Sequence, residues 1–484
     1  MIIEAPCGKM EGREKGDTLQ FLGIPYACPP VGKLRFRPTV PLPPWEGVRD
    51  CSKPGHAAPQ TAVAGLAQLT KDERMDEDCL YLNVTVPKGC RRAPVLFWIH
   101  GGAFVKGSGM LGIRPESFTK EGFAVVSCNY RLGALGFLDV SGRLGDSCRQ
   151  SGNSGLLDVM QALRWTQENI ASFGGDPDNV SIMGQSAGAK LCGALTIARE
   201  AKGLFRRSVL CSGAVQCIRS QHTAQRVAEK FFENAGLTEG EEEKLLTMPW
   251  QDILHAQKPF FAGLNLHAAG PVFDGETFEG DDALALLRRS GDRNIDLLLG
   301  TNRDEMELYR QIYGVEELTP ELAERLFGNR AAIVQRACER IPRGDRFEEN
   351  LIHVLTEYIY RAGTVGMAEA AAAAGHAVYL YRLDWDRQAF RACHASETQF
   401  LMGMGVVIRD VDHSPEHERL AGAMRGSFCS FMKTGCPEAE ALPKWPRFEE
   451  KDRQMMIFDA ESRIAAAPPK ETDPEMPYVV FEVD

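Results

Sequence analysis

Residues 179–200 read NVSIMGQSAGAKLCGALTIARE. The first seven are mostly apolar and short, the pattern of a buried strand, and an apolar run of helical length follows Gly188. Between them stands Gly184-Gln185-Ser186-Ala187-Gly188. A G-x-S-x-G pattern alone is weak, but a strand before it and a helix after it give it structural meaning. A sharp turn would hold Ser186 in a strained conformation, and larger side chains two positions either side would collide. Gly184 and Gly188 avoid that collision. The turn lifts the hydroxyl above a sheet and sets it at a helix start, where the dipole favours developing negative charge. Ser186 is therefore the candidate nucleophile. The alternative is a tight strand-to-helix turn without chemistry.

Working outward, APVLFWIH, FAVVSCNY, RRSVLCS, IDLLLGT, AVYLYRLDW and MMIFD read as further buried strands. Helical stretches separate them. One, over 154–172, repeats Leu156, Met160, Leu163 and Ile170 at helical spacing, with Asn153 or Ser154 as its expected cap. An alanine-rich run at 368–374 also reads as helix. The first 50 residues, rich in Pro and Gly, should form short strands and turns. Strands alternating with helices predict an α/β fold with a large, mostly parallel sheet covered on both faces. One unit over 1–484 is expected, with a helix-rich subregion at about 220–375 over the sheet edge.

Composition narrows the function classes. The 484 residues are 44% hydrophobic and 25% charged, ordinary for a globular chain. The net charge is −11, and no basic stretch resembles a nucleic-acid footprint. No window approaches the ~18 consecutive apolar residues of a membrane span. The N-terminus lacks the apolar run of a signal peptide. Fourteen cysteines contain no CxxC pair, so no metal site is expected, and reduced thiols in a bacterial cytoplasm are the default. The sequons at Asn83 and Asn179 lie in strand-like stretches and read as chance.

A nucleophilic serine needs a base, and the base needs an orienting carboxylate. On a sheet of this kind the chain order is serine, acid, histidine, each just after a strand. After IDLLLGT come Asp304 and Glu305; adjacent residues point apart, so only one can face an imidazole. Of ten histidines, His353 falls on a helix and His376 precedes a strand. His413 and His417 sit in a polar, charged stretch. His394 follows AVYLYRLDW by a short loop and precedes a helix-like SETQFLMG, the required position for the base. Upstream, His100-Gly101-Gly102-Ala103 after strand LFWIH resembles the oxyanion loop of lipases and esterases. That resemblance implies Gly102 and Ala103 N–H as oxyanion donors, with Ala187 N–H as the third, and His100 as a residue that shapes the loop.

The chain as a whole resembles the type-B carboxylesterases, the α/β-hydrolase family that includes cholinesterases and bacterial carboxylesterases. Residues 173–180 (FGGDPDNV) leading into 184–188 are similar to the family's serine signature, and 77–84 (EDCLYLNV) to its second signature. FLGIPYACPPVGKLRF, NYRLGALGFL and KTGCPEAEALPKWP are also family-like. The resemblance implies Glu305 as the acid, His394 as the base and ester hydrolysis through an acyl-enzyme, with no cofactor. It implies structural ion pairs Arg35–Glu77 and Arg131–Asp158, supporting the oxyanion and acid loops, and a buried Ser212 near the acid. Substrate-pocket candidates are Phe104, Leu264, Leu266 and His267, within a stretch that also holds Phe260 and Phe261. The chain departs from the family at Met306, where Gly is common, and at Arg391-Ala392-Cys393, where Gly-Ala usually precedes the base. Ala58 occupies the place of the usual disulfide partner of Cys79. Leu69 stands where cholinesterases place a cation-binding tryptophan, so a choline ester is not the expected substrate. Small-molecule esters are, for a monomer or weak homo-oligomer. The same residues would permit amide or thioester hydrolysis, and a non-catalytic binding protein is the remaining alternative.

Overall fold

The computed structural model describes residues 1–61, 69, 73–258, 269–308, 310, 319–321, 331–405 and 411–471. A first strand pair, β1 (Ile2–Ala5) and β2 (Gly8–Glu11), joins β5 (Val48–Asp50) in a small three-stranded sheet. The other strands are β3 (Arg13–Lys15), β4 (Thr18–Pro25), β6 (Tyr81–Pro87), β7 (Ala93–Ile99), β8 (Ala124–Cys128), β9 (Gly175–Gln185), β10 (Arg207–Cys211), β11 (Asp296–Asn302), β12 (Val378–Leu383), β13 (Gln454–Phe458) and β14 (Arg463–Ala466). They form one 11-stranded sheet in the order β14-β13-β12-β11-β10-β9-β7-β8-β6-β4-β3. From β8 to β13 every neighbouring pair is parallel, and both flanks are antiparallel. This is the mostly parallel sheet that the alternating pattern predicts.

The strand runs are apolar throughout because both faces are covered, so successive side chains enter different cores. Along β7, Val95, Phe97 and Ile99 join one cluster, while Leu96 and Trp98 join the other. Helices Ser154–Asn169, Ala187–Ile197 and Ala362–Ala373 supply the first cluster; Glu397–Met402 and Pro415–Thr434 supply the second. The 154–172 helix forms as its spacing predicts, closing in a 3₁₀ turn Ile170–Phe173. Its capping differs from expectation. Asn153 makes no side-chain cap bond. Instead its amide nitrogen donates to the Val272 carbonyl at 2.8 Å and Asp274 Oδ2 at 2.7 Å, and its oxygen accepts from Val272 N–H at 2.8 Å. A tertiary clamp has taken the side chain away from local capping.

Register aligns the strand ends. Ile99 pairs with Gly184, Cys211 with Gln185 and with Gly300, and Asn302 with Leu383. The loops after β7, β9, β10, β11 and β12 therefore leave the sheet along one edge. Between β7 and β9 the strand order reverses direction, because β8 lies on one side of β7 and β9 on the other. Such a switch point opens a crevice outside the carboxyl ends of the strands, where α/β folds bind ligands.

Candidate active site

Ser186 directly follows β9 and caps the helix Ala187–Ile197. Its φ of 56° and ψ of −121° lie in a region that only a constrained non-glycine residue occupies. The constraint comes from crowding. A Cβ on Gly184 would lie 2.3 Å from the Gly188 carbonyl carbon, and one on Gly188 would lie 2.0 Å from the Ile99 carbonyl oxygen. Only glycine at both positions lets the turn sit against the end of β7. Ser186 N–H donates to the Cys211 carbonyl at 2.9 Å, tying the turn to β10.

The loop after β7 crosses beside this turn. A Cβ on Gly101 would lie 3.2 Å from Ser186 Cβ. Gly102 has φ 119°, and Ala103 and Phe104 have φ of 54° and 63°, so three successive residues are held at positive φ. The N–H groups of Gly102, Ala103 and Ala187 donate to no acceptor among the described residues. Amides left without an acceptor are the kind that can stabilise a developing negative charge. Phe104 is buried, packs edge-on against Phe137 at 5.1 Å, and accepts from Gly133 N–H at 2.8 Å. Through Gly133 the loop is braced by the segment holding Arg131, whose buried pairing with Asp158 runs over two bonds of 2.8 and 2.7 Å. Arg35 and Glu77 also pair, at 2.7 and 2.5 Å, but Arg35 goes on to the Leu245 and Met248 carbonyls rather than to either loop. His100 stacks on Tyr130 at 4.3 Å, and its Nδ1 faces the Gly101 carbonyl at 2.8 Å. Burial holds its imidazole down at about 4, so it stays neutral.

Glu305 and His394 converge. His394 Nδ1 lies 2.6 Å from Glu305 Oε2, both are buried, and His394 N–H donates to the Glu305 carbonyl at 2.9 Å. Glu305 Oε1 accepts from Asn302 N–H at 2.7 Å. Asp304 instead pairs with Arg303 at 2.9 Å, so the two adjacent carboxylates do face different partners. His394 Nε2 meets the Gln185 amide nitrogen at 3.2 Å and the Tyr360 hydroxyl at 3.4 Å.

Several neighbours escaped the sequence reading. Glu397 is fully buried, accepts from Asn302 Nδ2 at 2.5 Å, and is pushed up to about 7 by burial and then by the charge of Glu305. Ser212, the family-like serine, reaches Glu397 at 3.4 Å. Lys190 is buried four residues beyond Ser186, and burial pushes its ammonium down to about 8. Glu397, Tyr360 and Lys190 left no signal in the sequence: His394 stands in the turn before the helix Glu397–Met402, so no shared helical face links it to Glu397. His417 lies in the charged stretch but turns inward, buried against Phe400 and Trp385. The pocket candidates Leu264, Leu266 and His267 lie outside the described residues. All fourteen cysteines are free, Cys79 included.

Comparison with known proteins agrees with this geometry. The Carboxylesterase family model matches residues 1–476. The para-nitrobenzyl esterase of Bacillus subtilis is 35% identical over 493 residues, covering 98% of this chain and 96% of the relative. The juvenile hormone esterase of Heliothis virescens is 28% identical over 88% of the chain and 84% of its own length. The Geobacillus stearothermophilus carboxylesterase EST55 at pH 6.2 superposes with a TM-score of 0.84 at 34% identity, covering 96% of this chain and 98% of the other. A PNB esterase structure superposes with 0.83 at 30% identity over 100% and 99%. The sheet, the serine turn and these matches over the whole length make this chain a member of the carboxylesterase family, an α/β-hydrolase that cleaves carboxylic esters.

Proposed function

We propose that Ser186 is the nucleophile, His394 the general base and acid, and Glu305 the residue that fixes the imidazole tautomer and stabilises imidazolium. The hydrogen bond between His394 and Glu305, with the imidazole at the sheet edge where the loop carrying Ser186 also leaves, carries this reading. In the first half-reaction Ser186 Oγ attacks the ester carbonyl carbon as His394 takes up the serine proton. The amides of Gly102, Ala103 and Ala187 hold the oxyanion, and loss of one such donor typically lowers transition-state stabilisation by about 3 kcal/mol. The alcohol leaves with a proton from the imidazolium, and water repeats the sequence on the acyl-enzyme.

Small and medium esters are the proposed substrates, as the name of the para-nitrobenzyl relative suggests. Phe104, Leu264, Leu266 and His267 are proposed to line the acyl pocket. An apolar pocket separates acyl chains by only about 1–3 kcal/mol per methylene, which supports breadth. The chain is proposed to work as one unit with its helix-rich part at about 220–375, because one core cluster runs from Ala5 to Ala467. Fourteen unpaired thiols support a reducing, cytoplasmic setting. Among the described residues large exposed hydrophobics are few, which supports a monomer or weak homo-oligomer; gel filtration tests this. Among the described residues no helix is long and apolar enough to cross a membrane.

Ser186→Ala tests the central assignment. Turnover of p-nitrophenyl butyrate should fall by several orders of magnitude, by analogy with roughly 10⁶ in another serine hydrolase. Retention of more than about a hundredth of wild-type turnover refutes Ser186 as nucleophile.

A further inference from the structure

Lys106 closes the loop that carries Gly102 and Ala103. Val105 N–H and Lys106 N–H both donate to the Gly102 carbonyl at 3.1 Å, so the chain doubles back after Phe104. A Cβ on Gly102 would lie 2.1 Å from the Lys106 carbonyl oxygen and 3.0 Å from Lys106 Cγ, so the aliphatic stem packs on Gly102. The next residue returns further. A Cβ on Gly107 would lie 2.6 Å from the Gly101 carbonyl oxygen, and Gln60 pins Gly107 through two bonds of 2.9 Å. Gly101 in turn is the residue whose Cβ position lies 3.2 Å from Ser186 Cβ. Lys106 is therefore packed against the backbone that touches the serine turn.

Its ammonium is set unlike other buried cations of the molecule. Arg35, Arg131 and Arg361 are buried, and each holds a carboxylate, on Glu77, Asp158 and Glu357. Lys106 is 4% exposed, yet among the described residues its Nζ meets no hydrogen-bond acceptor. An ammonium carries three donors, and burying it unmatched is costly. Burial pushes it down to about 8, so near neutral pH it still carries its proton for most of the time. A second buried cation stands near the same loop. A Cβ on Gly270 would lie 3.5 Å from Phe104 Cε2 and 3.8 Å from Arg219 Nη2.

A charge kept at the loop that receives the ester, and not matched by the chain, is a charge for something the ester brings. Resting on the assignment of Ser186 as nucleophile, we propose that Lys106 is a substrate-binding residue and that this enzyme prefers esters carrying a second, ionised acid group. Half-esters of dicarboxylic acids are the simplest of this class. The ammonium holds the free carboxylate while the scissile carbonyl faces the amides of Gly102, Ala103 and Ala187. The carboxylate can stand on the acyl part or on the alcohol part. A hydrogen bond to a charged group of this kind is worth about 10- to 100-fold in affinity.

The test measures kcat and KM for charged esters beside neutral esters of the same length. Monoethyl succinate, glutarate and adipate are set against ethyl butyrate, valerate and hexanoate for charge on the acyl part. For charge on the alcohol, 4-(butyryloxy)benzoate is set against 4-(butyryloxy)benzamide. Wild type should favour the charged member of at least one set by about tenfold or more in kcat/KM, and the favoured set tells which part of the ester meets Lys106. Lys106→Met keeps the stem and removes the charge, so this preference should disappear, chiefly through KM, and Lys106→Arg should restore part of it. Wild type that favours no charged ester overturns the proposal without any variant, so the test stands even if K106M does not fold. Preference unchanged in K106M also overturns it. So does a loss shared equally by charged and neutral esters, which makes the ammonium a support of the oxyanion alone. Ser186→Ala run alongside separates the two claims. An active S186A removes the nucleophile assignment, whereas a dead S186A beside a wild type indifferent to charge removes only the carboxylate subsite.

Discussion

Replacing Glu305 by glutamine changes one atom and removes a charge that two donors share. Its carboxylate accepts from Asn302 N–H on one oxygen, at 2.7 Å, and faces His394 Nδ1 with the other, at 2.6 Å. An amide has one acceptor oxygen and one NH₂. If the oxygen stays on Asn302, the NH₂ meets Nδ1 and the imidazole takes the tautomer with Nε2–H, which accepts no proton. If the amide flips, NH₂ faces a buried N–H, and an unmet donor of that kind costs about 1–3 kcal/mol. In both arrangements the imidazolium loses its buried counter-charge. The same carboxylate-to-amide change in a serine triad lowers kcat by about 10⁴-fold, or ~5.4 kcal/mol. Glu305→Gln should therefore show about that loss on p-nitrophenyl butyrate with KM little changed. Asp304→Asn is the matched control. It disturbs a partly exposed pair with Arg303, worth at most about 1 kcal/mol, so its kcat should stay within about fivefold. Loss under tenfold in E305Q, or a larger loss in D304N, refutes the choice of acid.

Gly188→Ala should destabilise the fold by about 3 kcal/mol, because the new Cβ meets the Ile99 carbonyl oxygen at 2.0 Å and neither backbone can rotate away. Urea unfolding beside Gly142→Ala, which has open space, measures this, and equal midpoints contradict the crowding argument. His100 predicts a pH dependence of stability. Its imidazole is held near 4 in the fold against 6.5 unfolded, so the unfolded chain binds the extra proton between these values. The stabilisation, about 3 kcal/mol, is complete above pH 6.5 and is lost as pH falls through 4. Urea midpoints across that range should fall less steeply in His100→Gln; identical slopes count against a buried neutral His100.

The sequence made the sheet legible because its strands are covered on both faces and read as unbroken apolar runs. RRSVLCS, for example, differs from observed β10 only in its end residues. The serine turn was legible because steric crowding admits only glycine beside it. The meeting of His394 with Glu305 followed from chain order, since the loops after parallel strands leave along one edge. What failed was contact made across the fold. Asn153 looked like a cap and became a clamp on Val272 and Asp274. His417 stands in a polar, charged stretch of sequence, yet its helix buries it. Tyr360 lies 34 residues before His394, on a π-helical turn, Glu357–Arg361, whose extra residue has no signature in one sequence. Arg35–Glu77 formed as the family resemblance implies, but its further bonds go to another part of the molecule.

The most direct test is to quench the enzyme during turnover of p-nitrophenyl butyrate at low pH and locate the acyl group by peptide mass spectrometry. A butyryl group on Ser186 alone, with His394→Ala trapping less of it at the same time point, is the predicted result. Butyrylation of another residue, or full turnover with no acyl-enzyme ever formed, contradicts a nucleophile at the end of β9.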